Sequence, residues 1–100
     1  MRVKDSDNLI YIAEHYVRES QHRQLAEECA ELAQASLKCI RNNYDEKSLD
    51  HLKEEMADVF IMIAQCLVLN CIDSKDLLEK VSYKLERQVQ RIKQEKERGE

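Results

Sequence analysis

Two groups of carboxylates stand at spacings that could do chemistry together. Glu27, Glu28 and Glu31 form E-E-x-x-E, and Glu55 and Asp58 form E-x-x-D. Residues three apart on a helix share a face, so each group can offer its acids from one helix to one point. If Glu28 and Glu31 face Glu55 and Asp58, four carboxylates surround a common centre. Carboxylates about 5 Å apart repel by roughly 3 kcal/mol per pair at an effective dielectric of 20. A divalent cation reverses that sign. A set of oxygen ligands without histidine or thiolate suits Mg²⁺, with Mn²⁺ as the alternative, and the partner such an ion recruits is phosphate.

Each group also has a plainer reading. E-E-x-x-E on an amphipathic helix is commonly a solvated face. Asp58 is harder to explain that way, because it is the single charge between Ala57 and Ile72 in a chain that is 36% charged. Burying a lone carboxylate costs several kcal/mol or more unless it is paired or ligates a metal. A structural Asp58 would need a cation from another helix, since the third helix offers none after Lys53. The di-iron alternative needs two E-x-x-H motifs. The chain has one, Glu19 to His22, outside the pattern, and di-iron is set aside.

The elements that must hold these acids are all helices. There is no proline, and the single glycine is Gly99, so nearly every turn signal that β structure needs is missing. Ser6, Asp7 and Asn8 are N-cap candidates for a short helix from about Asn8 to Arg18. Ser20 is the expected cap of a second, from about Gln21 to Arg41, with an apolar stripe of Leu25, Cys29, Leu32, Ser36, Leu37 and Ile40. Glu28 and Glu31 fall at the margin of that stripe with Gln21, Gln24 and Ala35, as a pocket wall would require. The polar stretch Asn42–Lys47 is a loop, and Ser48 is the expected cap of the third helix. Its main face is Leu49, Leu52, Met56, Val59, Phe60, Ile63 and Leu67. Glu55 and Asp58 lie on an adjacent face with Met62, Gln65 and Leu69, and His51 is one turn before Glu55. Asn70 ends this helix. Asp73 or Ser74 caps a fourth, to about Glu95, with Leu77, Leu78, Val81, Leu85, Val89 and Ile92 at helical spacing and a dense charged face. Lys84, Arg87 and Arg91 on that face could hold phosphate; each alone reads as ordinary surface.

These patterns predict an all-α fold, a small helical bundle of one short and three long helices in a single domain spanning residues 1–100. So apolar a third helix is hard to cover within a chain of this size, which predicts completion by oligomerisation. The net charge of −4 argues against nucleic acid as a partner. Cys29, Cys39, Cys66 and Cys71 sit inside apolar patterns without zinc spacing, pointing to a reducing cytoplasm. The opening MRVKDSDNLIYI has no signal-peptide shape. The run Ala57–Ile72 is short for a bilayer and carries Asp58, Gln65 and Asn70, so no membrane is expected.

With the residues in this order, the chain resembles the all-α nucleoside triphosphate pyrophosphatases, the MazG-like superfamily. The resemblance rests on E27-E28-x-x-E31 followed by E55-x-x-D58, within RQLAEECAELAQA and EEMADVFIMIAQCLVL, and on the basic run KLERQVQRI. It implies Mg²⁺-dependent hydrolysis of a nucleoside triphosphate between the α and β phosphates, giving a nucleoside monophosphate and pyrophosphate. It further implies Glu28, Glu31, Glu55 and Asp58 as metal ligands. Glu27 would bind a further metal or orient the attacking water, and Lys84, Arg87 and Arg91 would hold phosphate. A homodimer or homotetramer centred on the third helix is implied as well. Many members carry Asn in the last helix's basic motif, where this chain has Gln88. Several read the base with an aromatic residue ahead of the first motif; here Gln21 and Gln24 occupy that face, making Gln24 the substrate-binding candidate. Phosphoribosyl-ATP pyrophosphohydrolase is the alternative within the superfamily. A non-catalytic helical interaction module is the alternative from another class.

Overall fold

The computed structural model describes residues 1–99, and among them every regular element is a helix: α1 (Val3–His15), α2 (Arg18–Arg41), α3 (Glu46–Leu69) and α4 (Ser74–Glu97). The all-α expectation holds, with one short helix and three long ones.

The helix ends differ from the sequence expectations where a local hydrogen bond outweighs a residue preference. α1 begins at Val3 rather than near Asn8, because the Asp5 carboxylate accepts the Arg2 backbone N–H at 2.8 Å and the Arg2 guanidinium at 3.1 Å. That reciprocal closure of the first turn works as a capping box does, and the Arg2 groups hold the Asp5 carboxyl below its ordinary range. α2 begins at Arg18 behind an extended Val17, without a side-chain cap, so Ser20 lies inside the helix. Asp45, not Ser48, caps α3: its side chain accepts the Ser48 N–H at 2.8 Å. Ser48 instead sits buried in the first turn, its hydroxyl accepting from the Asn42 amide at 2.9 Å. Asn70 ends α3 and Asp73 caps α4, as expected.

The turn between α2 and α3 closes without glycine. Asn43 and Tyr44 take left-handed φ angles of 53° and 57°, and the Tyr44 N–H reaches back to the Cys39 carbonyl at 2.7 Å. Asn tolerates this region, whereas Tyr is strained there, so the return of α3 onto α2 must hold it.

That return is a paired seam. On α2 the inward positions are Gln21, Leu25, Glu28, Leu32, Ala35 and Cys39; on α3 they are Ser48, Leu52, Glu55, Val59, Met62, Cys66 and Leu69. Both sets alternate steps of four and three, the repeat that keeps two helices in continuous contact. The Cys39 thiol approaches the Ser48 carbonyl at 3.4 Å beside the turn. At the far end Arg18 donates to the Leu69 carbonyl at 3.2 Å, and the Asn70 amide lies 3.0 Å from His22 Nε2. α1 lies against α3, tied by the fully buried Gln65, whose Nε2 donates to the Leu9 carbonyl at 2.9 Å.

The seam revises the faces read from the sequence. Phe60 and Ile63, part of the expected main face of α3, are 62% and 42% exposed within one chain, and Leu37 and Ile40 of the expected α2 stripe are exposed too. Leu25, Leu32, Leu52 and Val59 of the expected apolar faces do turn into the seam, whereas their apolar neighbours turn outward because the seam also takes Gln21, Glu28, Ser48 and Glu55, polar and acidic residues in inward positions. α4 buries no residue and has no packed interface with α1, α2 or α3. The radius of gyration, 17.3 Å, accordingly exceeds the roughly 13 Å of a compact chain of this length. Among the described residues the four cysteines are free, and no helix is long and apolar enough to cross a membrane.

Candidate metal centre

Glu28 and Glu55 are the acidic members of the seam. Each occupies a position that the four-three repeat turns inward, so folding α3 back on α2 brings the two carboxylates together. Glu31, three residues after Glu28, stands at the rim. One ligand oxygen from each of Glu28, Glu31 and Glu55 lies within 4.8 Å of the others.

The local electrostatics is that of a site short of positive charge. The Glu28 carboxylate, then loss of water, then Glu55 push the Glu31 carboxyl above its ordinary range. One oxygen each of Glu28 and Glu55 (Oε2 in both) is buried with no hydrogen-bond partner. A buried polar atom left unpaired costs about 1–3 kcal/mol, and more when charged. Two such atoms in one acid cluster match the needs of a hard divalent cation, which takes carboxylate oxygens and removes their repulsion. The three acids therefore fit such an ion.

The partners of these carboxylates are local. Gln24 Nε2 donates to Glu28 Oε1 at 2.8 Å, so one oxygen of Glu28 is fixed while the other stays unpaired. His51 lies between two acids, with Nε2 at 3.7 Å from Glu55 Oε1 and Nδ1 at 3.9 Å from Glu54 Oε2.

The other candidates from the sequence lie elsewhere. Asp58 is exposed and is not among the three converging carboxylates. Glu27 is exposed beside Glu28. Lys84, Arg87 and Arg91 sit on the unpacked α4, where the Arg87 guanidinium stacks 5.9 Å from the Tyr83 ring centroid.

The structure also reveals neighbours of the acids, of which sequence reasoning had singled out His51 alone. A cavity of about 340 Å³ opens beside Glu31 and Glu55, lined also by Gln34, Lys38, Arg41 and His51. The available signal was spacing: Glu31, Gln34, Lys38 and Arg41 advance by three, four and three along α2, which keeps them on one face.

The family model of the MazG nucleotide pyrophosphohydrolase domain matches residues 17–92, a span that takes in α2, α3 and most of α4. No curated protein and no solved structure shows a significant match to the chain.

Proposed function

The chain belongs to the MazG nucleotide pyrophosphohydrolase domain family, and from that premise we propose that it is a Mg²⁺-dependent hydrolase of nucleoside triphosphates, ribo- or deoxyribo-. The products are the nucleoside monophosphate and pyrophosphate. The observation that carries the metal part of this reading is the pair of buried, unpartnered Oε2 atoms of Glu28 and Glu55 within a three-acid cluster. Family membership carries the substrate class.

Glu28, Glu31 and Glu55 hold the ion, with Asp58, one turn after Glu55, as the fourth acid. Magnesium, when bound, supplies charge neutralisation for an approaching polyphosphate and lowers the pKa of a bound water. Gln24 fixes the orientation of Glu28 and stands next to the substrate. Glu27, exposed and adjacent in sequence, takes the proton of the attacking water. Phosphoryl transfer depends on alignment and charge stabilisation more than on covalent chemistry, which is the chemistry that an acidic cluster with basic neighbours can supply.

We also propose that residues 1–100 form one domain and that it works as a homodimer or homotetramer. Exposed Phe60, Ile61 and Ile63 on α3 and the exposed stripe Leu78, Val81, Leu85 and Val89 on α4 support this, since neither is covered within one chain. In such an assembly Lys84, Arg87 and Arg91 reach phosphate groups from a neighbouring copy.

The test is pyrophosphate release from a panel of NTPs and dNTPs with and without Mg²⁺. Metal-dependent release is expected from the wild type. Glu28→Gln should lose at least a hundredfold of it while keeping the helical circular dichroism signal. Wild-type turnover by that variant would remove Glu28 from the metal site, and no release from any nucleotide would refute the enzymatic reading.

A further inference from the structure

The cavity beside the acid cluster is bipolar. At one end are Glu31 and Glu55; at the other are Lys38 and Arg41 of the last turn of α2. By the helical rise of about 1.5 Å per residue, Lys38 stands roughly 10 Å along α2 from Glu31, two turns on and on the same face. Neither Lys38 nor Arg41 forms an ion pair among the described residues, although carboxylates line the same cavity. A long basic side chain with an acid in reach commonly settles onto it, so two unpaired cations facing two acids leave a gap with a defined polarity.

A ligand that suits this gap carries a divalent cation at one end and bare oxyanions at the other. A polyphosphate has that form. Its metal-bound part meets Glu31 and Glu55, and the charge that the metal leaves uncompensated meets Lys38 and Arg41. Arg offers a planar fork that matches phosphate oxygens, and Lys a mobile point charge. Among the described residues no Phe, Tyr or Trp lines the cavity, and the two cations favour phosphate over a base at this end.

We propose that Lys38 and Arg41 bind the terminal phosphates of the substrate, so that the polyphosphate lies along α2 with its free end toward the α2–α3 turn and its nucleoside toward Gln24. This rests on the reading of Glu28, Glu31 and Glu55 as a metal site. It adds a cationic subsite within the same chain, independent of the cations that α4 carries.

The competing account of these two residues is a structural one. Cations in the last turn of a helix are favoured by its dipole, and Lys38 and Arg41 could serve only that. The two accounts separate in binding experiments on the full-length protein. Mn²⁺ binding is measured first, by electron paramagnetic resonance, followed by calorimetric titration with magnesium pyrophosphate. The K38Q/R41Q double variant should bind Mn²⁺ within about twofold of wild type but bind magnesium pyrophosphate about tenfold or more weakly, the loss expected for a charge-assisted contact. Lys53→Gln is the control for net charge, since Lys53 lines a different groove with Tyr44 and Leu49. It should change neither measurement by more than about twofold.

Equal pyrophosphate binding by wild type and double variant overturns the subsite while leaving the metal reading intact, and the dipole role then stands alone. An equal loss in Lys53→Gln also overturns it, by showing a general field effect. A wild-type protein that binds no Mn²⁺ overturns the metal reading and this proposal with it, and the first measurement alone reveals that outcome.

Discussion

Replacing Glu55 by Gln should stabilise the metal-free protein and abolish its stabilisation by metal. The three ligand oxygens lie within 4.8 Å of one another. At an effective dielectric of 20, two unit charges at that separation repel by roughly 3 kcal/mol. The Glu55 side chain is 13% exposed and Glu28 is half-buried, so water screens part of this, leaving about 1–2 kcal/mol for the Glu28–Glu55 pair. Glutamine keeps the shape of Glu55, removes its charge and offers an amide N–H to the unpaired oxygen of Glu28. His51 Nε2 lies 3.7 Å from Glu55 Oε1, so wild type and variant are compared at one fixed pH.

For a domain of this size, each kcal/mol moves Tm by about 4–8 °C. Thermal unfolding in EDTA, at one fixed protein concentration because any assembly would also shift Tm, should therefore place Glu55→Gln about 4–16 °C above wild type. Adding Mn²⁺ or Mg²⁺ at a hundred times its Kd stabilises a one-site protein by about 2.7 kcal/mol. That gain should appear in wild type and shrink or vanish in Glu55→Gln, so that the order of the two melting temperatures reverses. A variant less stable than wild type in EDTA would mean that Glu55 contributes through contacts rather than suffering repulsion. Equal metal stabilisation of both proteins would separate Glu55 from any cation site.

Three further outcomes follow from the same geometry. Because Glu28 and Glu55 raise the Glu31 carboxyl in the folded state, the folded protein holds more protons than the unfolded one between the ordinary glutamate value and the raised one. Stability contributed by this group therefore increases as pH falls from neutrality into that window and is lost as pH rises through it; melting curves in EDTA should show this in wild type and not in Glu31→Gln. The opposite contributions of Asp5 and Asp45, whose carboxyls are lowered by hydrogen bonds to Arg2 and Ser48, are lost only at lower pH. Gln65→Ala removes a fully buried side chain and its bond to the Leu9 carbonyl, and urea unfolding should show a loss of about 2–4 kcal/mol. Gln65→Met, which fills the space and removes the unpaired Oε1, should cost less than about 1.5 kcal/mol. Finally, L78S/L85S alters two exposed residues of α4, a helix with no packed interface in the chain's own bundle. Light scattering should report a lower mass or weaker association than wild type, and an unchanged mass would show that α4 takes no part in assembly.

The sequence by itself determined the helices, their approximate limits and the spacing of the acids. These are local matters: the scarcity of glycine and proline, the 3.6-residue period, and caps such as Asp73 all act within one or two turns. E-E-x-x-E and E-x-x-D were legible for the same reason, because a shared helix face follows from spacing alone. Tertiary structure decided which face turns inward. The α2–α3 seam runs through Gln21, Glu28, Ala35, Ser48 and Glu55 beside Leu25, Leu32, Leu52 and Val59 and leaves Phe60, Ile63 and Leu37 outside, so it follows a ranking by apolarity only in part. Burial depends on which surface another helix covers, and a one-chain hydropathy pattern cannot distinguish a core face from one kept for a second copy. Only the pairing of α2 with α3 brings Glu55 to Glu28 and Glu31, leaves Asp58 exposed, and sets Lys38 and Arg41 in the same cavity as the acids. The relations to Glu55 join residues on different helices, which no spacing along the chain encodes; Lys38 and Arg41 share a face of α2 with Glu31, and the spacing alone did not show that a cavity with Glu55 lies beside it.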